Sequence, residues 1–504
     1  MSDVQPTDSI ARRDEQKLRQ GRLGAMAIAF FVISAAAPLT GMGGGAPFAM
    51  LLGNGAGVPL AYAIVTGLMI VFSVGYVAMA RHHTSTGAFY SYLARGMGGY
   101  AGGAAALIAL LGYNTMQIGL VGLFGVLASA FMGVIGVTVP WWVMSLVGWA
   151  LVAVLGYRQV DLSLRVLAVL VACEFLIVIL FDLMVLFKGG SLGGGAEAAT
   201  SLGFGSFTLK EFFSGAPAIG LLFCAASFVG FEATTIYSEE AKDPEKTVPK
   251  ATYIAVLTIG IFFMITSWLM VEAFGNNAKL VEFIGSKELG DPTNFLFAMA
   301  GPYIGSFLTN KVMLFLFASS LFAAILAFHN AVARYTFALG REGLVPERFG
   351  QTHSVHLSPH MGSLSQSVLS LAVLLLWVVT GGDPNNMFTW LTQTGTLAIT
   401  FLMSFASLAV FLFFRRHPGV ENSVWKTTIA PLIGFAGLFI LGIYATAQFG
   451  FLVGTEAFLL RWGLPLLIVI FGVIGAVSSG MLRKREPEAF ATMGRHRPSE
   501  VGLP

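Results

Sequence analysis

Two carboxylates sit where the surrounding residue types leave them chemistry to do. Glu174 lies in VLAVLVACEFLIVILF and Glu232 in SFVGFEATTI, both strongly apolar runs. An ionised side chain in hydrocarbon costs several kcal/mol, so each must be neutral, paired or turned toward a cavity. A carboxylate that gains and loses a proton in such a place can couple proton movement to a change of shape; one that only accepts hydrogen bonds ties helices together. Both readings stand for Glu174. Glu232, at a helix interruption, reads as a gating or coupling group or as the tie that holds the interruption. Asp182 is two turns from Glu174 near a helix end and reads as a snorkelling or packing residue. His329, in FAAILAFHNAVARY, is the only histidine deep in an apolar run. It is either a satisfied packing residue or a third coupling group.

The elements that must hold these groups follow from composition. Of 504 residues, 56% are hydrophobic and only 11% charged. Soluble domains carry about a quarter of their residues as charge, so this is an all-α, polytopic membrane chain. Cys173 and Cys224 both lie in apolar runs and pack as small hydrophobes. Residues 1–21 are polar, with Arg12, Arg13, Lys17 and Arg19. The apolar run after them is longer than a signal-peptide core, so it reads as a retained first helix behind a cytoplasmic tail.

Twelve segments are long enough to span: 22–52, 58–80, 97–132, 141–156, 163–187, 213–238, 250–274, 309–340, 362–380, 387–414, 427–449 and 457–482. One set of loops holds most of the cations, among them Arg81, Arg95, Arg158, Lys242, Lys246, Arg341, Arg348, Arg415 and Arg416. That side is cytoplasmic and carries both termini. Of the outward loops, 189–212 is rich in Gly and Ser, and 275–308 has enough Leu and Phe for short surface helices. The chain divides into a tail (1–21), a ten-helix core (22–414), spans 11 and 12 (415–482) and a second cytoplasmic tail (483–504).

Two spans are interrupted. Span 1 contains SAAAPLTGMGGGAP: Pro38 removes a backbone donor, and Gly41, Gly43, Gly44 and Gly45 permit a non-helical path. Span 6 has its own break at Ser227 to Gly230. Broken spans expose half-helix ends, which hold anions at N-termini and cations at C-terminal carbonyls. The plainer reading is that the glycines let helices approach closely. Breaks five spans apart are what two inverted five-helix halves produce.

Three motifs then resemble the amino acid–polyamine–organocation permease superfamily: GFEATTIYSEEAKDPEKTVPKA at 230–251, GAFYSYLARGMG at 87–98, and ARYTFALGREGLVP at 333–346. The resemblance covers most of the chain. It implies a 12-helix secondary transporter with a 5+5 inverted-repeat core, discontinuous helices 1 and 6, and two extra C-terminal helices. By family spacing the solute meets Ala37, Thr40, Gly41, Gln117, Ala226, Ser227 and Phe328. The free N–H groups of Gly41, Gly43, Gly44 and Gly45 would hold a carboxylate as a half-helix N-terminus does, and Gly230 would open the break of span 6. The charged run from Glu239 to Lys250 is a solvated loop or part of an inner gate. One departure stands out. Where many members place a lysine in span 5, this chain has Glu174, so lysine-based coupling does not carry over.

The expected function is proton-coupled import of an amino acid by alternating access across the plasma (inner) membrane, with Glu174, Glu232 and His329 as coupling or gating residues. A polyamine or simple amine permease, or an exchanger of amino acid and amine, is the alternative. Sodium is the less favoured coupling ion, though Ser319 and Ser320 are of the type that coordinates it. No cofactor, metal site, nucleic-acid partner or enzymatic activity is expected: no ligand or nucleophile set recurs in the spans.

Overall fold

The computed structural model describes residues 24–80, 88–158, 164–190, 202–234, 241–275, 277–353, 358–455 and 457–494. Among these residues the regular elements are helices, and ten are long and apolar enough to cross a membrane. In a bilayer core every backbone polar group must be satisfied within the segment, and a helix does that locally. The predicted spans 3, 4 and 5 are Gly99–Val134, Trp141–Arg158 and Leu164–Lys188. Spans 7 and 8 are Pro244–Phe274 and residues 308–341. Spans 9 to 12 are His360–Val379, Pro384–Arg416, residues 425–447 and Phe458–Arg485.

The stretch Thr40–Ala80 runs for 41 residues, roughly 60 Å as a straight helix and twice what a bilayer core needs. It is two helices. The chain turns at Gly53 (φ −108°, ψ −113°) and Gly55 (φ 53°) before span 2, Val58–Ala80, begins. Ala25–Ala35 precedes this stretch, and Pro217–Ala226 is the described helix of span 6.

Burial separates centre from edge. The most apolar windows of spans 10 and 8 are 72% and 67% buried, against 22% for spans 4 and 12. Span 3 threads the middle, packed by spans 4, 8, 10 and 12, while spans 1, 2, 6 and 7 pack mainly on one another. Glycines set these distances. A methyl group on Gly475 would lie 2.1 Å from the Gly103 carbonyl oxygen, so spans 12 and 3 touch backbone to backbone there.

The 275–308 segment contains the short helices Leu280–Ile284 and Asn294–Ile304. Residues 191–201 of the other long outward loop, and Glu239 and Glu240 of the charged run, lie outside the described residues. A short helix, Ala88–Met97, packs against span 3. The C-terminal segment returns to it. Pro487–Ala491 is helical, Phe490 packs edge-on to Tyr100 with centroids 5.3 Å apart, and the Gly494 N–H donates to Glu342 Oε2 at 3.2 Å. Glu342 also accepts from the Tyr90 hydroxyl.

Candidate functional site

Span 1 breaks at Ala36–Ala37, immediately before Pro38. Ala37 has φ 45°, the only positive φ at a non-glycine residue among those described. A residue with a Cβ pays about 1–2 kcal/mol for that conformation, so the surrounding structure must hold it. Pro38 then starts the resumed helix, where its missing N–H is no loss. The first helical bond runs from Gly41 N–H to the Ala37 carbonyl at 3.0 Å.

This corrects the expected role of the glycines. The Gly41 N–H is occupied, and Thr40–Gly45 winds as a π-turn in which the Ala46 N–H reaches back to Gly41 O. The glycines serve close packing: a Cβ on Gly41 would meet Phe263 at 2.7 Å, and one on Gly43 would meet Phe317 at 2.5 Å. Gly44 faces Leu123, Phe388 and Phe317. The N–H groups without a helical partner at the resumed helix start belong to Leu39 and Thr40, since Pro38 has none, and that of Leu39 is taken by Glu174.

The break in span 6 falls where the sequence places it. Pro217–Ala226 ends in a tightened turn, with Ser227, Phe228 and Val229 N–H groups bonded three residues back, and Gly230 takes φ 106°. A side chain would strain that position. The Phe231 to Thr234 turn follows.

Both breaks open on one cavity of about 50 Å³, room for a few waters. Ala36, Ala37, Thr40 and Gly41 line it from span 1, and Ala226, Ser227 and Val229 from span 6. Phe328 of span 8 and Met116 and Leu120 of span 3 supply apolar wall, and Phe388, Thr392 and Gln393 come from span 10. Ser227 is held by a 3.2 Å hydrogen bond with the Tyr62 hydroxyl. No charged side chain is among the lining residues.

Gln117 does not reach this cavity. Its Oε1 accepts from Gln366 Nε2 at 2.8 Å, toward span 9. One residue is about 100° of helix rotation, so Met116 takes the place family spacing gave to Gln117. His329 is likewise one residue from Phe328 and turned away. Its Nε2 pairs with Ser363 Oγ at 2.8 Å, and its ring lies against Gly156. Asp182 accepts from Thr266 Oγ1 at 2.7 Å, between spans 5 and 7.

Glu174 lies behind the cavity at the start of the resumed first helix. Its Oε2 accepts from Ser320 Oγ at 2.7 Å and from the Leu39 N–H at 3.4 Å. Thr40 Oγ1 donates to Ser320 Oγ at 3.2 Å, which joins spans 1, 5 and 8 in one chain of hydrogen bonds. A carboxylate at a helix N-terminus is favourably placed in the helix field. Glu232 is fully buried. Its Oε1 accepts from the Tyr113 hydroxyl at 2.6 Å and its Oε2 from the Gly230 N–H at 2.8 Å. The Tyr76 hydroxyl reaches the Glu232 carbonyl at 3.1 Å. The carboxylate thus pins the span 6 break to span 3.

Sequence reasoning missed Gln393. It is 1% exposed, lines the cavity, and its Oε1 has no hydrogen-bond partner. Buried amide groups are almost always satisfied, so this oxygen stands out among the cavity's polar groups. The signal was present as the polar run Thr389–Thr396 in an otherwise apolar span. Most of those threonines bond their own helix, as Thr392 Oγ1 does to Phe388 O at 2.7 Å.

The profile of the amino acid permease family matches residues 27–482. The chain belongs to that family, and it is a multi-pass membrane transporter. It is 22% identical over 327 residues to the low-affinity putrescine importer of Escherichia coli (strain K12), covering 63% of this chain and 67% of that one. A lysine-specific permease of Lactococcus lactis is 26% identical over 291 residues, 55% of this chain and 54% of its own. A probable GABA permease of Pseudomonas aeruginosa is 24% identical over 349 residues, 68% of each. Among solved structures, a mutant manganese transporter of Eremococcus coleocola superposes with a TM-score of 0.56 at 11% identity, covering 92% of this chain and 97% of that one. That likeness concerns the fold alone.

Proposed function

We propose that this permease imports an amino acid together with a proton, by alternating access through twelve spans in which spans 1–5 and 6–10 are inverted halves. The observation that carries the reading is the pair of backbone breaks, Ala37 at φ 45° and Gly230 at φ 106°, whose flanking residues wall one cavity. The solute carboxylate meets the Thr40 N–H at the helix start. Its ammonium meets the carbonyl end of Pro217–Ala226 and the Gln393 oxygen. Phe328, Phe388 and Met116 suit an apolar side chain. A diamine would have no ionic partner among the lining residues. Glu174 takes up and releases the proton, and Glu232 gates with Tyr113. The protein is a carrier, not an enzyme, and lies in the plasma or inner membrane with both termini cytoplasmic, as the cation-rich loops support.

A second reading has one observation in its favour. The Leu39 N–H is already met by Glu174, so a solute without a carboxylate, such as the putrescine carried by the Escherichia coli relative, leaves that contact undisturbed. Uptake into proteoliposomes under an inward pH gradient tests both. Amino acid uptake that needs the gradient and is indifferent to putrescine and ethanolamine supports the first. Uptake of amines alone, or a requirement for sodium, refutes it.

A further inference from the structure

A groove of about 500 Å³ lies on the outer surface between spans 3 and 12, away from the solute cavity. Its wall on span 12 is a single stripe from Val473 to Lys484, with Val477 and Met481 between them, all facing outward. The spacing follows one helical face. Eleven residues rise roughly 16 Å, close to the depth of one leaflet's hydrocarbon, about 15 Å. Gly480 keeps the groove open: a Cβ there would lie 3.3 Å from the Tyr100 ring, which forms the opposite wall. The apolar stripe ends at consecutive cations, Arg483, Lys484 and Arg485, all exposed. Arg483 donates to the Tyr100 hydroxyl at 3.3 Å and lies over Phe490 at 5.9 Å. Lys484, which lines the groove, makes neither contact.

We infer that this groove binds an anionic diacyl phospholipid, with one acyl chain along Val473–Met481 and the headgroup phosphate at Lys484. The length of the trough matches a leaflet, and the charge at its mouth matches an anionic headgroup. Glu486 and Glu488 lie beyond the cations on the tail, outside the groove lining. A second copy of the chain fits less well. A two-fold symmetric contact through this stripe would set Lys484 beside its own counterpart.

Native mass spectrometry of the delipidated full-length protein, titrated with phosphatidylglycerol and with phosphatidylcholine of the same acyl chains, tests the assignment. Phosphatidylglycerol should bind about fivefold more tightly, the contribution of one cation at the surface. Lys484→Gln should remove that preference and Lys484→Arg should keep it. Gly480→Leu, which fills the trough, should weaken both lipids. Solute uptake by the Lys484 variants reports that they are folded. Equal binding of the two lipids by the parent overturns the proposal. So does an unchanged preference in Lys484→Gln, or a dimer that binds neither lipid.

Discussion

Replacing Glu174 with glutamine separates binding from coupling. The side chain keeps its shape and one acceptor oxygen, so Ser320 Oγ, now at 2.7 Å from the carboxylate, retains a partner. The Leu39 contact at 3.4 Å is long, and losing it costs at most about 1 kcal/mol. Glu174→Gln should therefore fold and bind solute. What disappears is the site that exchanges a proton. One proton carried per solute across a gradient of one pH unit supplies about 1.4 kcal/mol, or roughly tenfold accumulation. With the outside acidic, the parent should approach that ratio in proteoliposomes, and the sign should reverse when the inside is acidic. Glu174→Gln should level near equal concentrations while still exchanging labelled solute. Glu174→Ala should behave worse, because the Ser320 hydroxyl also loses its 2.7 Å acceptor, at about 1–3 kcal/mol for a stranded buried donor. If Glu174→Gln accumulates solute like the parent, the proton does not pass through this carboxylate.

Other expectations are independent of coupling. Met116→Trp should abolish saturable uptake by filling the cavity, while Gln117→Ala should leave KM unchanged; transport assays on the pair read the register of span 3 directly. Gln393→Leu should raise KM roughly tenfold, the loss of one hydrogen bond to a charged group, with the melting temperature held or raised. Gly43→Ala should lower thermal stability by about 1–3 kcal/mol through overpacking against Phe317, measured by a melting assay in detergent. Tyr113→Phe removes the 2.6 Å bond to Glu232 and should change the uptake rate more than solute affinity.

The spans were legible because long apolar runs have one solution in a bilayer, and the span 6 break because Gly230 interrupts a run at a carboxylate. The first break was legible as a region but not to the residue. A proline and four glycines mark Pro38 to Gly45 as the irregular stretch, yet the chain kinks at Ala37, a residue type that gives no warning. Proline begins a helix as readily as it ends one, and only packing decides which. The side-chain register inside spans 3 and 8 was also hidden. Span 3 is apolar on every side, so no amphipathic stripe says which way Gln117 turns, and on span 8 Phe328 and His329 are sequence neighbours of which only one can face the cavity. Tertiary neighbours settle it: Gln366 draws Gln117 to span 9, and Ser363 with Gly156 draws His329 to spans 4 and 9. Gln393 was obscured because it stands among threonines that only serve their own helix.

The returning C-terminal segment has a mechanical consequence. Its anchor points are Tyr100 and Gly99 at the foot of span 3, Glu342 after span 8, and the helix Ala88–Met97 at Ser91 and Ala94, against which Gly494 lies. Together they fasten span 12 to one end of the central helices like a buckle on a frame. Spans 1, 6 and 7 take no part in the fastening. A protein trimmed after Arg485 would keep every residue at the cavity and lose the frame's lower brace.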